Sequence, residues 1–320
     1  MDIEKVTFSA PGKVILFGEH SVVYGYPAIA SAIGLRAKCS INSTSLEKNS
    51  ISIPNIIPAR KFILGNEIPG VLKSLEFIVH HILKKTKNQK KLEMEILSDL
   101  PVSAGLGSSA AVSVSVAASL FSILGIEHNL ENVNEVAFDA EKIIHGTPSG
   151  IDNTISTFGG SIIFEESNIK QIPINLPLSH FIIVNSLVPR NTKDLVYSLR
   201  DRYNKDTKKY SQLFEKIGEI VEESQKNLKL GDLERIGDLM NRNHILLDEL
   251  GVGNKHIKKI VSILNNQKAF GCKLTGAGGG GCVIGLFEDR ENINNVIELL
   301  HQEGYNAFIT DISTQGVRHE

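Results

Sequence analysis

Apolar positions recur along the chain with two different periods. Val6 and Phe8 alternate with polar neighbours, which predicts a strand ended by Pro11-Gly12. The run KVILFGEH that follows predicts a second strand closing on a charged pair, and residues 40–60 predict further strand and loop with a turn at SIPN. In GVLKSLEFIVHHILKK the residues Val71, Leu72, Leu75, Ile78, Val79 and Ile82 fall at helical spacing. LEMEIL sets Leu92, Met94 and Ile96 against Glu93 and Glu95, a half-exposed strand. Val133, Val136, Ala137, Ala140, Ile143 and Ile144 mark an amphipathic helix stopped by Gly146. HGTPSGIDNTISTFGG predicts loop and a short turn, and SIIFEE another strand.

The segment IKQIPINLPLSH, with Pro173 and Pro177, predicts a boundary between two domains, 1–175 and 176–320. FIIVNS restarts as a strand, and residues 193–268 carry a helical pattern throughout. The strongly charged stretch 207–230 reads as the wet side of surface helices. CKLTGAGGGGCVIGLFED predicts strand, glycine loop, strand, and AFITDIS a closing strand. Strands and helices mix without regular βαβ alternation, which favours an α+β architecture over a doubly wound sheet.

Composition narrows the class of protein rather than its chemistry. At 320 residues, with 42% hydrophobic and 22% charged residues, the chain has the make-up of a two-domain globular protein. A formal net charge of −2 gives no reason to expect a nucleic acid or an acidic membrane as partner. Cys39, Cys272 and Cys282 are too widely spaced for a metal pattern and fit a reducing compartment. No apolar run follows a basic N-terminus, and no stretch approaches the roughly 20 apolar residues that span a bilayer. The expectation is a soluble, cytoplasmic protein.

Chemistry concentrates in two glycine loops. SDLPVSAGLGSSAAVSVSVAASL places Gly105 and Gly107 between a strand and a helix, with Ser108 and Ser109 where the helix begins. That geometry aims free backbone N–H groups and a helix dipole at an anion. It is no Walker A loop, because Gly-Lys-Ser/Thr is missing. A Rossmann fingerprint is nearly matched by Gly105, Gly107 and Ala110, but Glu127, at the right distance, falls in helix and turn. A plainer reading, a helix capped by serines after a tight turn, stays open here. The second loop, Gly276-Ala277-Gly278-Gly279-Gly280-Gly281, has five glycines in six positions. A hairpin needs one or two, so this loop reads as a close approach of backbone to a ligand.

Around the loops stand polar residues of the kinds that phosphoryl transfer uses. Ser109 and Glu141 are candidate Mg²⁺ ligands, Glu141 beside the apolar stripe of its helix, where a carboxylate needs a partner. Asp152 in PSGIDN, Lys13 after Pro11-Gly12, and the neighbours Glu19 and His20 have ordinary readings when taken singly: a helix cap, a surface lysine, a structural histidine.

Together, PGKVILFGEHSVVYG, LPVSAGLGSSAA, HGTPSGIDN and KLTGAGGGGC resemble, in order and surroundings, the motifs of the GHMP kinase superfamily. Its members phosphorylate small alcohols such as galactose, homoserine, mevalonate and phosphomevalonate. The first and third segments are similar to the mevalonate-phosphorylating branch, and the resemblance runs from about Val6 to Phe287. It implies a two-domain α+β fold: a ribosomal-protein-S5-like N-terminal domain that binds ATP and a ferredoxin-like C-terminal domain, with the active site between them. It implies Mg²⁺ as cofactor and ATP as donor to the C5 hydroxyl of (R)-mevalonate, and it leaves a homodimer open.

By the same resemblance Ser103, Ala104, Gly105, Leu106, Gly107, Ser108 and Ser109 wrap the phosphates, and residues 276–281 support that wall. Asn55 and Ser98 match nucleotide contacts, Ser109 and Glu141 the metal ligands, and Asp152 the catalytic base with Lys13 beside it. Glu19, His20 and Ser149 match the region that orients the acceptor. Thr192 matches a position near the transferred phosphate, with Arg190 next to it. A sibling kinase with another acceptor, or a ligand sensor of the same fold without catalysis, are the alternatives.

Overall fold

A computed structural model of the chain describes residues 5–45, 47–54, 60–101, 104–146, 148–165, 168–176, 180–189, 192–288 and 290–320. In chain order the elements begin with β1 (Lys5–Phe17), β2 (Ala28–Ser43), β3 (Ser50–Ile53), β4 (Arg60–Ile63), α1 (Lys73–Lys85) and β5 (Leu92–Ser98). Next come α2 (Ser108–Ile123), α3 (Leu130–His145), α4 (Ile151–Phe158), β6 (Ser161–Glu165), β7 (Asn168–Ile172) and β8 (His180–Asn185). The second half holds α5 (Thr192–Lys205), α6 (Thr207–Leu230), α7 (Leu233–Glu249), α8 (Lys255–Asn266), β9 (Gly271–Thr275), β10 (Cys282–Phe287), α9 (Arg290–Gln302), β11 (Asn306–Thr310) and β12 (Arg318–His319). Among the described residues no helix is long and apolar enough to cross a membrane.

The strands gather in two sheets. The larger runs β12-β1-β2-β5-β3-β4, with the β6–β7 hairpin joined to the first residues of β2. The smaller, β11-β8-β10-β9, is antiparallel throughout. Four helices in succession, α5 to α8, separate β8 from β9, so strands and helices are grouped and the fold is α+β, as expected.

Helix α2 is the centre of the larger core. It packs on β1, β2 and β5 and against α1, α3 and α4, and Ala111, Val114, Val116, Ala117 and Leu120 are fully buried. Its small side chains let these neighbours approach on every side, and its buried serines are satisfied: Ser119 Oγ donates to the Cys39 carbonyl (2.9 Å) and Ser115 Oγ to the Val112 carbonyl (2.9 Å). The second core gathers Leu213, Phe214 and Ile217 of the amphipathic α6 and Leu247 of α7 with Ile182, Val184, Leu274 and Val283 of β8 to β10.

Several elements differ from the pattern reading. Pro11-Gly12 does not end the first strand. β1 runs on to Phe17, and its pairing with β2 shifts register between Pro11 and Lys13. Proline has no N–H for the ladder, so the break in hydrogen bonding appears as a bulge inside one strand. The segment after Gly150 is not a turn but the helix α4, because Ile151 and Ile155, one helical turn apart, both reach the core. Ile143 is 46% exposed, off the buried stripe of α3. Ile293, Val296 and Leu300, buried at helical spacing, form α9, which the pattern reading leaves out. AFITDIS gives β11, yet it does not close the chain's pairing. Ile312 bridges Ile33, and β12 lies against β1, with Phe8 opposite His319.

Helix α7 meets β9 at a pair of glycines. A Cβ on Gly271 would lie 2.0 Å from the Gly237 carbonyl oxygen, a backbone atom with no rotamer to move. Gly271→Ala is therefore expected to lower the unfolding free energy by about 1–3 kcal/mol, the usual cost of overpacking. Urea denaturation measures it, and an unchanged midpoint would mean that the helix slides off the strand without cost.

Candidate active site

The bulge in β1 is where the first glycine loop docks. A Cβ on Gly12 would sit 2.4 Å from Leu100 Cδ2 and 2.6 Å from the Leu106 carbonyl oxygen, so only glycine admits the loop here. The Lys13 N–H donates to that carbonyl (2.8 Å). The loop then turns at Gly107, the N-cap residue of α2, with φ 72° in the left-handed region. Gly107 has no side chain with which to cap this helix end, and the first turn carries no acid. The positive end of α2 thus stays open toward an anion, with Ser109 exposed in its first turn.

Over this helix end lie the charged groups. Lys13, buried to 7% exposure, reaches Asp152: Nζ to Oδ1 is 3.2 Å, and Nζ also donates to the Gly105 carbonyl (3.4 Å). Asp152 stands in the first turn of α4, whose N-cap Gly150 also has a left-handed φ (79°). A carboxylate there interacts favourably with the helix dipole as well as with the ammonium. A Cβ on Gly107 would be 3.7 Å from Asp152 Oδ2, so loop, lysine and aspartate share one small volume.

Glu141, half-buried on α3, completes the group. Burial pushes its carboxyl up to about 7, the negative charge of Asp152 pushes the same way, and Lys13 pulls it back. Asn153 lies beneath. In the orientation that satisfies its neighbours, its amide nitrogen donates to Glu141 Oε2 (3.3 Å) and to the Gly150 carbonyl (3.0 Å). A half-buried carboxyl whose ionisation is opposed by burial and by a neighbouring carboxylate, close to the start of α2, suits a hard cation and an anionic ligand together.

A second layer joins the end of β1 to the 276–281 loop. Glu19 is 1% exposed and ion-paired with the fully buried Lys273. Burial pushes the Glu19 carboxyl up and the Lys273 ammonium down, and their mutual attraction opposes both shifts. His20 has φ 65°, unusual for a non-glycine residue, and its Nε2–H donates to the Ala277 carbonyl (2.8 Å). Burial holds its imidazole pKa down, so the ring is neutral near pH 7 and Nδ1 is an acceptor. Within the loop, Gly278 lies against the Val252 carbonyl and Gly280 against the Val188 carbonyl, where a Cβ would come within 2.2 and 2.5 Å.

Of the residues singled out in the sequence, Lys13, Gly105, Leu106, Gly107, Asp152 and Glu141 come together. Ala104 is buried in the same loop and Ser108 is half-buried beside Ser109. Ser98 ends β5 and accepts the Leu100 N–H (3.2 Å). Ser149, exposed ahead of α4, accepts the Ile151 N–H (3.4 Å), and Thr192 is exposed at the start of α5. Among the described residues no hydrogen bond joins either to Lys13 or Asp152. Asn55, Ser103 and Arg190 lie outside the described residues. Lys273 and Asn153 escaped the sequence reading. The signal for Lys273 was a lone charge inside the otherwise apolar strand before the glycine loop, and Asn153 carried none beyond its place beside Asp152.

Comparison with known proteins identifies the chain's relatives. The family model described as GHMP kinases N terminal domain matches residues 72–160, and GHMP kinases C terminal matches residues 224–306. A mevalonate kinase from Pyrococcus abyssi is 34% identical, with 98% of each chain covered. The crystal structure of the Methanococcus jannaschii mevalonate kinase superposes with a TM-score of 0.85 at 28% identity, covering 96% of this chain and 98% of that one. The crystal structure of L. major mevalonate kinase in complex with R-mevalonate gives a TM-score of 0.82 at 27% identity, with 96% of each chain covered. The 34% identity extends through both sheets rather than stopping at the glycine loops, and by it the chain belongs to the mevalonate kinase family of GHMP kinases.

Proposed function

We propose that the chain transfers the γ-phosphoryl group of ATP to the C5 hydroxyl of (R)-mevalonate. The observation that carries this reading is the Lys13–Asp152 pair, 3.2 Å apart and set against the uncapped N-terminus of α2. A phosphoryl chain laid on that helix end would bring its terminal phosphorus toward a carboxylate and an ammonium, the two groups an attacking alcohol needs. We assign the nucleotide phosphates to residues 103–109, with Ser98 and Asn55 on the nucleoside side. We draw the boundary between the N-terminal, ATP-binding domain and the C-terminal domain near residue 175.

Ser109 and Glu141 would hold Mg²⁺, which when bound would neutralise charge on the phosphates. The fit rests on hard oxygen donors and on a carboxyl that lacks a full counter-charge. Among the described residues no group of three or more His, Cys, Asp or Glu could hold a metal by itself. The cation would accordingly share its coordination with phosphate oxygens.

Asp152 accepts the hydroxyl proton, and Lys13 stabilises the charge that develops on the attacking oxygen. A carboxylate is a weak base for an alcohol, so proton removal comes late and positioning supplies most of the acceleration. On the acceptor side His20 offers Nδ1 to a hydroxyl, with Ser149 and Thr192 at the rim. Glu19, fully enclosed, acts on the acceptor through the turn it anchors.

Asp152→Asn is expected to lower kcat by roughly 10²–10⁴-fold with KM for ATP little changed. The assay is ADP release with mevalonate, phosphomevalonate, homoserine and galactose as acceptors. Turnover on an acceptor other than mevalonate would overturn the substrate, and near-normal turnover in the variant would overturn the base. Ser109→Ala and Glu141→Gln are expected to raise the Mg²⁺ concentration needed for half-maximal rate, and failure of added Mg²⁺ to recover activity in either would remove that role.

Glu141 also makes a prediction that needs no turnover. Its carboxyl titrates near 4.5 when unfolded and at about 7 in the fold, so stability falls as pH rises between those values. With divalent cations chelated, Glu141→Gln is expected to melt about 2–5 °C above the parent at pH 8 and level with it at pH 4.5. Equal melting at both pH values would mean that the carboxylate is not strained.

A further inference from the structure

Lys273 stands where an apolar residue would be expected. All five residues of β9 are buried and Lys273 is 0% exposed. Its ammonium donates to the Glu19 carboxylate and to the Leu274 carbonyl (2.8 Å). A buried ion pair stabilises little against well-packed apolar residues, because desolvation consumes the Coulombic gain. Stability therefore gives no reason for a lysine here. Next to it on α7, His244 is kept neutral by burial and by the Lys273 charge, its pKa down to about 4.

The placement explains the residue better. Alternate positions of β9 and the loop after it reach the end of β1 and the turn that follows it. Thr275 Oγ1 donates to the Ile15 carbonyl and accepts the Ile15 N–H (both 3.0 Å), and the Ala277 carbonyl takes the His20 ring. Lys273 supplies the third tie, through Glu19. These ties flank a turn that is costly to form, with left-handed φ at Gly18 (93°) and at His20 (65°). Only one Glu19 oxygen is held. Oε2 is buried with no partner among the described residues, so the carboxylate depends on Lys273 for its place.

We propose that Lys273 is a positioning residue of the phosphoryl-transfer site: by holding Glu19 it fixes the Gly18–His20 turn and the 276–281 loop relative to Lys13, and so sets the seat of the acceptor. This rests on the kinase reading above. The ion pair acts as one unit, and its effect falls on the acceptor rather than on the nucleotide.

The test is a double-mutant cycle of Glu19→Gln and Lys273→Met in the full-length protein, read by melting temperature and by steady-state kinetics with mevalonate and Mg-ATP. Lys273→Met alone leaves a buried carboxylate without its counter-ion, so its melting temperature falls. The double variant is neutral and is expected to regain that temperature. Its kcat/KM for mevalonate is expected to stay about 10-fold or more below the parent, close to that of Glu19→Gln alone, with KM for ATP within about 2-fold. Recovery of both melting temperature and kcat/KM in the double variant would make the pair scaffold only and overturn the proposal. Losses that simply add would show that Lys273 does not act through Glu19, with the same consequence. A parent protein silent on every acceptor would overturn the kinase reading and this proposal with it, whereas an active parent confines any failure to Lys273.

Discussion

Two carboxylates and one ammonium in a half-dry space form the constraint around which the larger domain is arranged. Asp152 and Glu141 repel each other, and Lys13 offsets that repulsion. Solvent cannot screen the imbalance well, since Lys13 is nearly enclosed. The arrangement persists because each group comes from a different rigid element, β1, α3 or α4, and all of these pack on α2. An under-neutralised site stays strained until a ligand offsets its charge, the usual relation between a strained site and its ligand.

Close backbone approach is how the chain achieves that packing. Gly12 lets the loop carbonyl of Leu106 reach the strand, and Gly107 lets the helix start against the side chain of Lys13, whose Cγ would lie 3.0 Å from any Cβ there. Side chains at these positions would push the helix end away from the ammonium. The glycines therefore set the distance between an anion's seat and the groups that act on it, which is why they sit in the sequence beside the charged residues.

Much of this was legible in the sequence, for identifiable reasons. Helices α1 and α3 announce themselves because one face is apolar at a 3.6-residue period, and β5 because it alternates. Helix α4 was hidden, as its eight residues are rich in Ser, Thr and Asn and its apolar contacts reduce to Ile151 and Ile155. Pro11-Gly12 looked like an end because both residues usually punctuate, whereas a strand with a partner on each side can absorb them as a bulge. In the site, Lys13, Ser109, Glu141 and Asp152 were legible only through the motifs that frame them. Lys273 was not, because its meaning lies in a partner 254 positions away, and no local period records such a pairing.

The pairing of β12 with β1 gives the fold an order in time. Phe8 and His319 are neighbours in the sheet, and Ser9 and Glu320 touch across 311 positions of chain. During synthesis the strand that bears Lys13 leaves the ribosome long before its outer partner β12. Until then it offers a bare ladder of N–H and C=O groups to any passing strand. A chain cut near residue 175 would keep the nucleotide loop and the charged trio yet leave that ladder open. The N-terminal half is incomplete as a folding unit, and β12 acts as its cover.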